Sequence, residues 1–181
     1  MVNKNFAIRK ILSDEDMKSL WEVYHDSVHE FAHQDYSLHH VWKAQVNSKH
    51  MKESPFRTLD AYYAKMGYNP FAKYFLKYVE WSWARPHHDN IGTPTKTAIT
   101  LLEEQDLEGG ETLVWDKHYD LPKPEGAYVK RGGSIHRQDE IVCTPRLQPG
   151  ESLLYDDNIR HGVAQVRGGH RIVLVTWYRR K

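Results

Sequence analysis

His87, Asp89, His161 and Arg171 are the side chains in this sequence whose types and spacing suit one chemistry. Two imidazoles and one carboxylate form the facial set that holds Fe(II) and leaves its other coordination positions open. His87 and Asp89 lie two apart, so both face one side of an extended chain. His88 is the alternative ligand, but its place next to Asp89 suits convergence less well. A lone HxD triplet after Pro86 would read as a polar turn, and twelve histidines make chance matches easy. The distal half decides for a metal. Pro149-Gly150 turns the chain, Ser152-Leu-Leu-Tyr155 reads as an apolar strand, and Asp156-Asp157-Asn158 ends it. His161 follows with Gly162 beside it, and a glycine there lets a bulky ligand come close. Arg171, ten residues on, opens the apolar run Ile172 to Trp177. Its guanidinium can hold a carboxylate through two parallel hydrogen bonds.

Those residues need a rigid frame. Ser13-Asp-Glu-Asp16 is a helix start with acids in the first turn, and Leu20, Val23, Tyr24, Val28 and Phe31 then recur at helical spacing. A second amphipathic helix is predicted from Thr58 to Phe75 around Leu59, Tyr62, Tyr63 and Met66, with a break at Gly67. From Tyr78 the period changes to two, which is the period of a strand. Strands are predicted over Tyr78–Arg85, Thr95–Glu103, Glu111–Trp115, Tyr128–Arg131, Ile135–Cys143, Glu151–Tyr155 and His170–Trp177, with Gly132-Gly133-Ser134 as a hairpin turn. The Arg167-Gly-Gly169 turn should return the last strand beside the metal ligands. Helices followed by many short strands predict a mainly β protein with N-terminal helices, built as a sheet sandwich or barrel. A double-stranded β-helix (a jelly roll, cupin-like) would bring HxD and the remote histidine to one mouth. The division expected is a single domain over 1–181, with helical support over 1–76 and the β-helix core over 77–181.

Bulk properties narrow the field. The chain has 181 residues, enough for one well-buried core. Lys+Arg is 25 against Asp+Glu 24, so no strong field gathers nucleic acid or anionic membrane. The only cysteine is Cys143, which excludes an internal disulfide. No apolar run is long enough to span a bilayer, and residues 1–9 carry no apolar signal core, so the expectation is a cytoplasmic protein.

The order of these words resembles the Fe(II)/2-oxoglutarate-dependent dioxygenase superfamily, in its prolyl-hydroxylase-like branch. The words are His87/Asp89, Thr97–Leu102, Gly109-Gly-Glu-Thr112, Pro149-Gly150, His161-Gly-Val163, Arg171 and Trp177. They cover about Tyr78 to Trp177. Gly109-Gly-Glu and Leu147-Gln-Pro-Gly-Glu-Ser-Leu-Leu-Tyr-Asp-Asp157 also look like bacterial members that hydroxylate free amino acids. The resemblance implies Fe(II) on His87, Asp89 and His161, and 2-oxoglutarate with its distal carboxylate on Arg171. It implies consumption of O2, release of succinate and CO2, and hydroxylation of an unactivated C–H, with ascorbate as a reductant. The carboxylate of Asp89 argues against halogenation, where related enzymes have a small residue. The strand position that often carries a cosubstrate-binding Tyr falls on Leu101, so the second partner stays open among Thr97, Thr100 and Tyr78.

The segment Trp115 to Leu147 is longer than usual for compact members. It is read either as a solvated basic hairpin or as a flap whose Arg131, His136 or Arg137 meets the substrate. A small-molecule substrate, an amino acid or its derivative, is the first expectation. A residue in a peptide or protein is the second, and a non-enzymatic β-barrel metal or ligand binder the third. No nucleic-acid or membrane partner is expected, and the oligomeric state is open.

Overall fold

A computed structural model of the chain describes residues 6–36, 38–89, 92–115 and 144–180. Among these residues ten strands, β1 (Phe6–Lys10), β2 (Ala32–Tyr36), β3 (His39–Gln45), β4 (Tyr68–Tyr78), β5 (Trp83–His87), β6 (Thr95–Gly109), β7 (Thr112–Trp115), β8 (Glu151–Asp156), β9 (Arg160–Val163) and β10 (Val166–Arg180), make one curled sheet. Its order is β1-β8-β6-β10-β4-β3-β5-β9-β7, with β2 on β3, and every pairing is antiparallel. The result is the jelly roll that the strand pattern predicts.

Two helices, α1 (Asp14–Ser27) and α2 (Ser54–Ala64), cover the outside. Ser13 and Asp16 cap α1 reciprocally, each side chain taking the other's backbone N–H. Pro55 lies in the first turn of α2, where its missing N–H costs nothing. Leu20, Val23 and Tyr24 of α1 and Phe56, Leu59 and Tyr63 of α2 pack on Phe75, Leu174 and Tyr178 of β4 and β10. The alternate residues of the same strands, Leu76, Val173 and Val175, face the interior with Val114 and Val163 of the short strands. A strand buried on both faces reads as a continuous apolar run rather than an alternating one. No helix among the described residues is long and apolar enough to cross a membrane.

The N-terminal part differs from the expected helical support over 1–76. It contributes β1, β2, β3 and most of β4 to the sheet. The predicted second helix runs from Ser54 to Ala64 and not from Thr58 to Phe75, because Gly67 takes φ +82° and the chain then enters β4. Val28 and Phe31 lie beyond α1, and Val28 is exposed. The predicted strand Tyr78–Arg85 is split, with β4 ending at Tyr78 and β5 beginning at Trp83. Arg167-Gly-Gly169 is not a turn. These residues lie inside β10, where two register shifts against β6 bulge the strand, and Gly169 packs so closely on Gln105 and Asp106 that a Cβ would clash. The strands predicted over 128–131 and 135–143 lie outside the described residues.

Candidate metal centre

His87 ends β5 and His161 lies on β9, directly opposite it in the antiparallel ladder. The two imidazole rings are 4.4 Å apart between centroids. Asp89, two residues past the end of β5, completes the set, its Oδ1 standing 3.6 Å from the Nε2 of each histidine. All three donor atoms lie within 4.8 Å of one another. His88 is exposed and takes no part in this cluster.

The neighbours of the triad prepare it for a cation. His87 Nδ1 donates to the Arg85 carbonyl (2.6 Å) and His161 Nδ1 to the Ile159 carbonyl (3.1 Å), which leaves each Nε2 lone pair pointing inward. Thr97 donates to Asp89 Oδ2 at 2.7 Å, and Thr95 to the Asp89 carbonyl at 3.1 Å. The buried Tyr155 hydroxyl is 3.2 Å from Asp89 Oδ2 and 3.0 Å from His161 Nε2. Burial pushes the His161 imidazole down to about 4, with the Asp89 charge opposing it. A neutral imidazole is the form that ligates a metal. A buried carboxylate with two imidazoles whose Nε2 atoms face it is a donor set that fits Fe(II).

Arg171 starts the inward face of β10, opposite Tyr78 on β4. It is buried, and its NH1 donates to Thr112 Oγ1 at 2.9 Å. The Tyr78 ring lies under the guanidinium, 4.9 Å away. Burial pushes the Arg171 pKa down, while Tyr78, Glu104 and Glu111 oppose it. Its Nε is buried with no hydrogen-bond partner, and no carboxylate ion-pairs with it among the described residues. A buried guanidinium with a free N–H still has a hydrogen bond to give, and Glu104 and Glu111 stand in the wall of the same cavity. Gly109 and Gly110, at φ +70° and +69°, make the tight turn that swings Thr112 in beside it. A narrow cavity runs from His87, Asp89 and His161 past Ile99 to Thr112 and Tyr78. A further cavity of about 100 Å³ reaches Arg171 from outside, walled by Leu101, Leu107 and Thr144–Leu147.

Of the three residues weighed as partners of Arg171, Tyr78 adjoins it. Thr97 holds Asp89 instead, and Thr100 bonds Ser152 on the helix-covered face of the sheet, with Leu174 as its cross-strand neighbour. Thr112 and Tyr155 were not singled out by the sequence reading. Thr112 stood in the Gly-Gly-Glu-Thr word without a role, and Tyr155 read only as the apolar end of a strand. Its spacing of two from the inward Leu153 was the signal. Arg131, His136 and Arg137 lie outside the described residues.

No family model and no curated protein matches this sequence. Solved structures do match the fold. A prolyl-4-hydroxylase from Pseudomonas putida superposes with a TM-score of 0.64 at 16% identity, over 98% of this chain and 93% of that one. An oxidoreductase of the 2OG-Fe(II) oxygenase family from Burkholderia pseudomallei gives 0.66 at 14% identity, over 98% and 86%. The non-heme α-ketoglutarate-dependent epimerase SnoN of nogalamycin biosynthesis gives 0.66 at 16% identity, over 97% and 78%. The chain therefore has the fold of these oxygenases along nearly its whole length.

Proposed function

We propose that the protein is an Fe(II)- and 2-oxoglutarate-dependent oxygenase that hydroxylates an unactivated C–H of a small molecule, in the class of amino acids and their derivatives. One observation carries the reading. The same interior holds a two-histidine, one-carboxylate cluster and, beside the Thr112 and Tyr78 that line the far part of its cavity, a buried arginine with a free Nε and no ion pair among the described residues. A metal site alone would need no such arginine, so a passive metal-binding barrel accounts for only half of the arrangement.

His87, Asp89 and His161 would hold the iron, and Arg171 with Thr112 would hold the far carboxylate of 2-oxoglutarate. When bound, the iron would activate O2, the oxidant, with 2-oxoglutarate as two-electron co-reductant, so that one oxygen atom goes to succinate with loss of CO2 and the other into the substrate's C–H bond. The chain's own residues place and shield. Thr97 fixes the carboxylate of Asp89 and Thr95 its backbone carbonyl. The two backbone carbonyls fix the histidine tautomers. Arg171 and Tyr78 keep the cosubstrate in one orientation, and the apolar walls Ile99, Val173 and Val175 keep water from the reacting centre.

The cavity on the open side of the triad measures about 230 Å³, which supports a small substrate over a peptide. The test is incubation with Fe(II), ascorbate and 2-oxoglutarate, with a panel of amino acids and metabolites added singly. Succinate formation that rises with one of them is expected. A protein that releases no succinate under any condition overturns the reading.

A further inference from the structure

The open-side cavity has a chemical character of its own. It shares His87, Asp89, Leu76, Tyr74 and Trp177 with the narrow channel, so whatever fills it lies against the metal ligands. Lys43 of β3 faces into it from its position opposite Leu76 on β4. The ammonium leans over the Tyr74 ring, 3.9 Å from its centroid. Tyr74 is the next inward residue beyond Leu76, on the side away from Tyr78, so the ammonium points away from Arg171. Among the described residues no carboxylate pairs with Lys43. The only acid in the cavity wall among the described residues is Asp89, which belongs to the triad. Gln34 adds an amide, and the rest of the wall is histidine, aromatic and aliphatic.

We infer that this cavity binds the substrate, and that Lys43 selects one bearing a single anionic group, a carboxylate, on an apolar body. The inference rests on the oxygenase reading and narrows it. Arg171 and Lys43 flank β4 from opposite neighbouring strands and open into different cavities, so the interior offers two cationic receptors for two anions. One suits the cosubstrate, and the other remains for the substrate. A free amino acid would bring an ammonium as well, and the described wall has no acid to receive it beyond Asp89. Burying an ion without a partner is costly. The matched substrate is thus a carboxylic acid or an N-acylated amino acid. Its apolar body packs on Tyr74, Leu76 and Trp177, its carboxylate meets Lys43, and a C–H lies between them near the triad.

The test uses protein loaded with Zn(II) and 2-oxoglutarate, so that binding is read without turnover. The probes are matched acids and primary amides: 4-methylpentanoate, 3-phenylpropanoate, N-acetyl-L-leucine and N-acetyl-L-phenylalanine, with L-leucine and L-phenylalanine beside them, followed by ligand-observed NMR. At least one acid should bind over its amide by roughly tenfold or more, the usual worth of a charge-assisted contact. Lys43→Met should remove that preference and Lys43→Arg should keep part of it, with 2-oxoglutarate affinity unchanged in both. Equal binding of acids and amides, binding of none of the acids, or tighter binding of the free amino acids than of their acetylated forms overturns the inference. So does a preference that survives in Lys43→Met, or a loss of 2-oxoglutarate affinity in that variant. Failure of the underlying reading looks different: wild-type protein with Fe(II) would then consume no 2-oxoglutarate at all.

Discussion

The sheet has two unlike regions. β6 and β10 are fifteen residues each and β4 is eleven, paired along most of their length and covered outside by α1 and α2. β5, β9 and β7 are five, four and four residues, and they carry two of the three metal ligands. The long strands are buried on both faces and have the ladder and apolar contacts to hold their place unaided. The short strands have few backbone bonds, and three polar groups converge at their edge. A metal clamped between β5 and β9 would add its own binding energy to a region with few other ties. The comparison teaches that stability and chemistry are drawn from different strands. Arg171 is the exception: it sits in the stable region and serves the chemistry.

The largest effects should separate the two regions cleanly. Ala at His87, Asp89 or His161 should abolish metal binding and remove most turnover, while His88→Ala keeps both. Asp89→Asn retains the shape and should also lose the metal, yet unfold with a midpoint near that of the metal-free wild type. In the other region, Phe75→Ala empties a fully buried site packed edge-on against Tyr24, at a cost of about 3–5 kcal/mol. Metal titration and urea unfolding on each variant check this. Turnover retained in His87→Ala with loss in His88→Ala would overturn the assignment of the ligands.

Acid should strike the short-strand region. In the metal-free protein His161 is held at about 4 by burial, below its ordinary 6.5. The unfolded chain therefore takes up the proton first, so this stability is full above about pH 6.5 and is lost as the pH falls toward 4. The loss amounts to about 3 kcal/mol for this group. His39, beside His87 and likewise held at about 4 by burial, acts in the same direction. Unfolding free energies of the metal-free protein between pH 7 and 4 read this slope, and His161→Gln should flatten it. A slope unchanged in His161→Gln would show that the histidine is already protonated when folded.

Arg171→Ala tests the exception. Removing a buried cation that lacks a carboxylate partner should leave stability close to wild type while 2-oxoglutarate binding weakens by roughly tenfold to hundredfold, the worth of about 1.5–3 kcal/mol. Arg171→Lys should recover only part, because the planar fork is gone. An unchanged 2-oxoglutarate requirement in Arg171→Ala would remove the cosubstrate role from this residue.

The same division decides what could be read from the sequence. Glu151–Asp156 and the centre of β10 alternate or run apolar against clear turns, so these strands were legible, and the His-x-Asp triplet and the His-Gly word stood out by residue type although they lie on the short β5 and β9. β9 is four residues, Arg160-His-Gly-Val163, too short for any period to show. Ala32–Gln45 carries His33, Gln34, Asp35, His39 and His40, and its strands are set by pairing with β4 and β5 rather than by local pattern. Lys43 was hidden for that reason. β4 misled because burial on both faces makes Tyr74-Phe75-Leu76 continuous, and after Tyr62-Tyr63 that run imitates a longer helix.

The smallest effect expected sharpens the contrast at single-atom scale. A Cβ on Gly162 would stand 2.9 Å from the Ala84 carbonyl oxygen, 3.1 Å from the Pro86 nitrogen and 3.2 Å from the Arg85 carbonyl carbon. All three are backbone atoms of β5, so the strand itself must move, and it is the strand that presents His87. Overpacking of this kind costs about 1–3 kcal/mol. Here it should appear mainly as weaker metal binding, since β5 and β9 have little else to strain. Gly168 on β10 gives the matched control: its Cβ would meet only the Glu108 side chain, at 3.8 Å or more. Gly168→Ala should therefore leave both metal affinity and the unfolding midpoint unchanged. Isothermal titration of Zn(II) into the two variants decides the point. Equal affinities in Gly162→Ala and wild type would mean that β5 and β9 can part by a few tenths of an ångström without disturbing the triad, and the short strands would then be less finely set than their contacts imply.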